Sequence, residues 1–246
     1  MSLQIIPVHL SKDRTYGDDL VELLLAAKTG RGLKDGDILV FTQKIISKQE
    51  GRKINLSKVK PTLFAIGIAS AYNKDPRIIQ LIIDETKRIV RMKNGIIISE
   101  THNGLVCANA GIDESNIEEG YATLLPKDAD KSAQKLKRKI KTKTGKNVAV
   151  IISDTFGRPF REGQTDVAVG LTGISSIINY AGKHDRFNRA LRVTAIAIAD
   201  EICAASELVR GKTLHIPIAI VRNYKFDKKN GTLKDLLRVK SLDLFR

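Results

Sequence analysis

Short apolar runs that stop abruptly in polar residues constrain this chain more than any other feature. Ile38-Leu39-Val40-Phe41 stops at Thr42-Gln43-Lys44, and Val148-Ala149-Val150-Ile151-Ile152 stops at Ser153-Asp154-Thr155. Each run is too short for a core helix and too continuously apolar for a half-solvated strand. Ile38 to Thr42 and Val148 to Ile152 therefore read as buried strands, and Ile216 to Val221 reads the same way. Asp166 to Gly170 and Val193 to Ala199 (VTAIAIA) read as two more strands. Ile96 to Ser99 and Gly104 to Ala108 read as a strand pair around the turn His102-Asn103-Gly104.

Helices fill the intervals. Asp18 or Asp19 caps one that carries Leu20, Val21, Leu24 and Leu25 on a single face, with Gly30 as its stop. Asp75-Pro76 opens a second, which carries Ile78, Ile79, Ile82 and Ile83 and runs to about Arg88. A basic helix near 131–143 ends at Gly145, and a last one spans about Asp200 to Val209 before Gly211. The expected class is α+β, with mixed sheets and helices. No repeat, low-complexity linker or clean boundary interrupts the pattern. The expectation is one unit over 1–246, or two intertwined subdomains with no readable boundary.

Composition excludes several classes. With 42% hydrophobic and 28% charged residues, the 246-residue chain is not a disordered one. No apolar run approaches the ~20 residues of a membrane span. Pro7 and His9 interrupt Ile5-Ile6-Val8 where a signal peptide would need a long apolar core, so a soluble, cytoplasmic protein is expected. Cys107 and Cys203 are too few and too distant for a disulfide scaffold, and read as packing residues.

The 42 Lys+Arg against 27 Asp+Glu leave a formal charge of 42 − 27 = +15, which favours anionic partners. The densest run is Lys131 to Lys146, with no acid in it. At helical spacing it turns Ala133, Leu136 and Ile140 toward a core, and its lysines read as a solvated face. With no Trp and 5% aromatics the chain lacks a stacking platform, which argues against nucleic acid.

Four segments carry more polar chemistry than a core requires. After the strand at Ile38, Gln43, Lys44, Ser47, Lys48 and Arg52 place cations and hydroxyls at a strand end. Such ends commonly hold ligands, although a solvated turn would look alike. In 106–116, small residues lead into Asp113, Ser115 and Asn116, an oxygen-rich cluster suited to a hard cation or a nucleotide, or to an Asx turn. The strongest is Ser153 to Asp166 (SDTFGRPFREGQTD), expected as a loop beyond a strand. Asp154 and Thr155 there form a magnesium- or manganese-type ligand pair, and Arg158 and Arg161 suit phosphoryl or carboxylate oxygens, or the charges form a structural ion-pair network among themselves. Last, the helix over 200–209 delivers Arg210, Gly211 and Lys212 to an anion, or simply ends there.

Absences narrow the field. Neither GxxxxGK[ST] nor GxGxxG is present, nor a GxSxG elbow, and His9, His102, His184 and His215 have no metal-ligand spacing.

At these same residues the chain resembles the coenzyme F420-0:L-glutamate ligase family, the F420 γ-glutamyl ligases. The matching strings are GDDL at 17–20, GDILVFTQKIISKQEGR at 36–52, GLVCANAGIDESN at 104–116, SDTFGRPFREGQTDVAVG at 153–170 and ADEICAASELVRGK at 199–212. The resemblance implies an α+β fold in an intertwined homodimer. It implies GTP as co-substrate, a divalent metal (Mn²⁺ or Mg²⁺) with K⁺ as a further cation, and addition of L-glutamate to coenzyme F420-0. Successive residues would be γ-linked, and the route would be an acyl phosphate.

By motif position Asp113 and Asp154 match the carboxylates of one metal site, and Thr155 a ligand of a second. Gln43, Lys44, Lys48 and Asn116 match nucleotide contacts, as does the region of Arg210, Gly211 and Lys212. Ser11, Lys12, Asp13 and Arg14 occupy the place of a nucleotide-binding loop whose usual text is apolar and contains proline. Relatives also carry a longer loop after the helix, with a Glu or Gln for the second metal. Lys212 stands in that place here, and an ammonium cannot ligate a cation. Two other readings stay open: a related amide ligase acting on another acceptor, and a basic RNA-associated protein without enzymatic activity.

Overall fold

A computed structural model describes residues 1–10, 17–115 and 117–244. In chain order the elements are β1 (Gln4–Val8), α1 (Leu20–Ala26), β2 (Ile38–Thr42), α2 (Gln43–Gln49), β3 (Lys53–Asn55), α3 (Leu63–Tyr72), α4 (Pro76–Asp84), β4 (Thr86–Lys93), β5 (Ile96–Thr101) and β6 (Val106–Ala108). They continue with β7 (Tyr121–Thr123), α5 (Ala129–Thr144), β8 (Ala149–Arg158), β9 (Arg161–Thr172), β10 (Ile178–Asn179), β11 (Ala195–Ile196), α6 (Ile198–Arg210), β12 (Ile218–Arg222) and α7 (Leu233–Leu236). Helices and several separate sheets make this an α+β chain.

The main sheet has the order β1-β12-β2-β8-β9, and only β2 and β8 run parallel in it. Side chains alternate across it, as strand geometry demands. Leu39, Phe41, Val150 and Ile152 enter one core with α1, α2 and α5, while Ile38, Val40, Ala149 and Ile151 enter another with α6. Both faces are covered, which is why these strands lack polar alternation. Each such Val, Leu or Ile contributes on the order of 1.5–3 kcal/mol of apolar burial.

The free edge of β9 is closed by carboxylates from two helix starts. Asp130 of α5 accepts from the Leu171 N–H at 2.8 Å, and Asp200 of α6 accepts from the Ala168 N–H at 2.8 Å. A bulge at Val169, where Ile152 faces Gly170 and Ser153 faces Ala168, turns both N–H groups outward. Gly170 allows the start of α5 to lie against this strand: a Cβ there would sit 2.4 Å from the Ala129 carbonyl carbon.

The basic run forms α5 and ends at Gly145, whose φ of 71° needs no Cβ. Ala133, Leu136 and Ile140 are buried, as the spacing predicts. On the outer face Lys139 pairs with Asp19 at 2.5 Å and Lys143 with Glu22 at 2.7 Å, so part of the charge is spent on α1. α1 itself is capped by Asp19, whose carboxylate accepts from the N–H groups of Val21 and Glu22; it ends at Ala26, short of Gly30.

A third core gathers α3, α4 and β5 of the three-stranded sheet β4-β5-β6 around Ile79, Ile82, Ile97 and Leu124. Arg52 fastens this part to the rest, donating to the Leu125 carbonyl at 3.0 Å and pairing with Glu85 at 2.7 Å.

Three expectations fail here. The helix opened by Asp75-Pro76 stops at Asp84, because Thr86 to Lys93 alternates along β4 and pairs with β5. VTAIAIA is not one strand: only Ala195–Ile196 pairs, and Ile198, Ala199, Ile202, Cys203 and Ser206 continue as the buried stripe of α6. The segment 154–166 is no loop; β8 and β9 extend through it as a hairpin turning at Pro159-Phe160. No helix among the described residues is long and apolar enough to cross a membrane.

Candidate active site

Parallel pairing of β2 and β8 sends two apolar runs out of the sheet at the same end. Thr42 lies beside Ser153 in register, so Gln43 and Lys44 emerge next to Asp154 and Thr155. α2 begins at Gln43, and Lys44 and Lys48, four residues apart, both face a cavity of about 600 Å³. Asp113 reaches the same cavity from a loop after Gly111, held by backbone bonds with Thr123 in both directions at 3.0 and 2.9 Å. The end of α6 and the Gly211–Pro217 segment close the remaining side.

Charges inside are arranged as clusters. Lys44 Nζ lies 2.6 Å from Asp113 Oδ2 and donates to Ser115 O and Oγ at 2.8 and 2.9 Å. Asp113 Oδ1 also accepts from the Ser115 N–H at 2.6 Å, so the Asx turn and the ion pair coexist. Burial works against ionisation of Asp113, yet Lys44 and Ser115 hold its carboxyl below the ordinary 3.8. Deeper in, Asp166 is 3% exposed and Arg210 1% exposed; the guanidinium donates to Asp166 Oδ2 and to Ser153 Oγ. The other Asp166 oxygen accepts from Thr155 Oγ1 at 2.6 Å, across the hairpin pair Thr155–Asp166. Lys212 Nζ stands on this oxygen side, bonded to Thr155 Oγ1, 3.3 Å from Asp166 Oδ1 and 3.2 Å from Glu207 Oε1.

Asp154 is the exception. Among the described residues it forms no ion pair. Burial pushes its carboxyl up to about 7, and the charges of Asp166 and Asp113 add to the rise, while the Thr155 N–H and Lys44 oppose it. A half-buried carboxylate crowded by two others and lacking a cation of its own is where a divalent ion would be held. Lys44 stands on Asp113, but one ammonium does not balance two carboxylates, so Asp113 and Asp154 together keep a negative charge that fits a metal. Among the described residues no group of three His, Cys, Asp or Glu converges for one, so further ligands would come from water and a bound anion. The surroundings of Thr155 do not fit a second ion, because an ammonium already stands there.

The sequence model described as F420-0:Gamma-glutamyl ligase matches residues 14–223, most of the chain. The chain belongs to this family. It is 46% identical, over 94% of its length and 93% of the relative's, to the coenzyme F420:L-glutamate ligase of Methanothermobacter thermautotrophicus. Against the proteins of that name from Methanocaldococcus jannaschii and Methanopyrus kandleri the identities are 44% and 40%. These matches cover 87% and 100% of this chain, and 86% and 98% of the relatives.

In this family member the cavity wall includes Gln43, Lys44, Lys48, Asp113, Asp154, Thr155, Arg210, Gly211 and Lys212. Gln43 is buried and its amide oxygen accepts from Ser47 Oγ at 2.8 Å. Arg210, read as an offer to an anion, is instead committed to Asp166 and Ser153. Arg158 and Arg161 do not line the cavity: they flank the hairpin turn, where Arg158 donates to the Glu162 and Gly163 carbonyls. Because the hairpin continues both strands past Asp154 and Asp166, Arg158 and Arg161 lie at its far end, beyond the residues that line the cavity. Ser11, Lys12, Asp13, Arg14 and Asn116 lie outside the described residues.

Sequence reasoning missed Asp166 and Glu207 as site residues. A carboxylate directly before Val167-Ala168-Val169 was a signal for Asp166; nothing local marks Glu207 on an amphipathic helix. Cys107 also lines the cavity, its thiol pushed up to about 12 by burial and by the nearby Asp154 charge, so it is no nucleophile at neutral pH.

Proposed function

We propose that this chain is a GTP-dependent ligase that joins L-glutamate to coenzyme F420-0 by way of an acyl phosphate, with later residues γ-linked. The observation that supports it most is the meeting of Lys44, Lys48 and Lys212 with Asp113, Asp154 and Asp166 in one cavity at the ends of a parallel strand pair. Such a cavity suits polyanionic substrates, and among the described residues it contains no activated protein nucleophile. Phosphoryl transfer needs mainly positioning and charge neutralisation, which these groups provide.

In this reading the F420-0 carboxylate attacks the γ-phosphorus of GTP and GDP leaves. The α-amine of glutamate then attacks the acyl carbon, inorganic phosphate departs, and the amine loses its proton. Lys44 and Lys48, one helical turn apart, neutralise phosphate oxygens, while Gln43 meets the nucleotide. Mn²⁺ or Mg²⁺, held by Asp113 and Asp154, would supply additional charge neutralisation at the transferred phosphoryl group. The +15 charge draws in three anionic substrates. The proposal includes the intertwined homodimer, for which light scattering on a sizing column should return twice the 27.2 kDa chain mass.

Mass spectrometry of F420-0 incubated with the protein, L-glutamate, GTP and Mn²⁺ tests the activity. A product heavier by one or more glutamyl units, absent without GTP, is the expected result. GDP release without glutamylation would assign the chain to another acceptor, and neither signal from folded protein would overturn the ligase reading.

A further inference from the structure

Four residues at the deep end of the cavity form a closed charge balance. Asp166 and Glu207 bring two negative charges, and Arg210 and Lys212 bring two positive ones. Arg210 takes the Ser153 side of Asp166, buried at 1% exposure. Lys212 takes the other side, where Thr155 Oγ1, Asp166 Oδ1 and Glu207 Oε1 converge from β8, β9 and α6 on its Nζ. Three oxygens of one hydroxyl and two carboxylates are the donor set a hard divalent cation prefers.

We infer that the Lys212 ammonium is the resident cation of this oxygen cluster, standing where a second divalent ion would otherwise bind, so that the chain holds one such ion fewer than the pocket's oxygens could support. The inference rests on the reading of Asp113 and Asp154 as a metal pair, and extends it to the neighbouring cluster. A divalent ion added beside Lys212 would enter a neutral group and face an ammonium at contact distance, with both carboxylates of that group, Asp166 and Glu207, already paired. The Lys212 side chain is 61% exposed, so the charge of the cluster, and not packing around the stem, holds its head in place. A phosphate or carboxylate entering from the cavity therefore meets a fixed, unit-charged donor at Lys212. It meets an exchangeable ion only at the Asp113–Asp154 end.

The test counts ions and needs no turnover. Free Mn²⁺ is measured by electron paramagnetic resonance as it is titrated into the full-length protein and into Lys212→Gln, each checked for folding by circular dichroism. Lys212→Gln should bind one Mn²⁺ per chain more than the parent, and Mn²⁺ should raise its melting temperature further than the parent's. Equal counts in the two proteins would overturn the inference, as would two tightly held ions in the parent. Should Lys212→Gln fail to fold, Lys212→Ala is read by the same criteria. Because the count is taken without F420-0, GTP or glutamate, a failed ligase assay leaves it standing, and an unchanged count leaves the ligase reading standing.

Discussion

Replacing Asp154 by Asn should make the metal-free protein more stable at neutral pH while abolishing turnover. The carboxyl is held at about 7 against an ordinary 3.8, chiefly by burial. A displacement of that size corresponds to about 4 kcal/mol at ~1.36 kcal/mol per pH unit. One side of Asp154 faces the cavity and its water, so roughly half of this, about 2 kcal/mol, is the expected gain. For a chain of this length that is about 4–8 °C in Tm.

The sign follows from proton uptake. With a folded value above the unfolded one, the protonated carboxyl favours the fold; its contribution is complete below 3.8 and is lost as pH rises through about 7. Asn imitates the protonated form at every pH and keeps an oxygen to accept the Thr155 N–H. Urea denaturation in EDTA should therefore separate the two proteins at pH 7.5 and bring them together near pH 4. Mn²⁺ should then stabilise the parent and not the variant, by ~2.7 kcal/mol at a hundredfold excess over Kd. An Asp154→Asn protein no more stable than the parent at pH 7.5, or equally stabilised by Mn²⁺, would refute the reasoning.

Other substitutions probe other parts of the molecule. Gly170→Ala drives a methyl to within 2.4 Å of Ala129 backbone and should cost about 2 kcal/mol or more in denaturant titration; an unchanged midpoint would mean that α5 moves freely off β9. Asp200→Asn keeps the oxygen that accepts from Ala168 N–H but removes a carboxyl whose value is raised by burial. It should match the parent at acid pH and exceed it in stability as pH rises above 3.8, read from melting curves across pH. Asp19→Ala removes the α1 cap and the Lys139 pair and should cost about 1 kcal/mol, with a salt dependence that the parent's α1 contacts explain. Lys44→Met leaves the half-buried Asp113 without its cation, so its carboxyl value should climb; NMR titration of Asp113 reads it, and no change would remove Lys44 from the cluster.

Much of the scaffold was legible without coordinates. Ile38 to Thr42 and Val148 to Ile152 are strands because both faces of the sheet are covered, and continuous apolar text is what that burial requires. Asp19, Asp75-Pro76 and Gly145 mark helix ends by local hydrogen bonding and φ alone, so they too were readable. α3 was not: LFAIGIASAY is apolar on every side and has no period to read. For VTAIAIA both periods fit, and packing of Ile198 and Ala199 against the sheet chose the helix.

The site divides along the same line. Lys44, Asp113, Asp154 and Thr155 stood out because polar residues directly after apolar runs, or in a tight small-residue turn, are costly without a partner. Which partner each one has depends on separations the chain does not display. The parallel register of β2 with β8 brings Lys44 toward Asp154, and the hairpin pair sets Thr155 opposite Asp166. The end of α6 then delivers Arg210 and Lys212 to the two oxygens of that one carboxylate. Residue types and local order follow from short-range chemistry written along the chain. Whether a lysine meets a substrate, a metal's place or a neighbouring aspartate is a distance between elements, and only packing sets it.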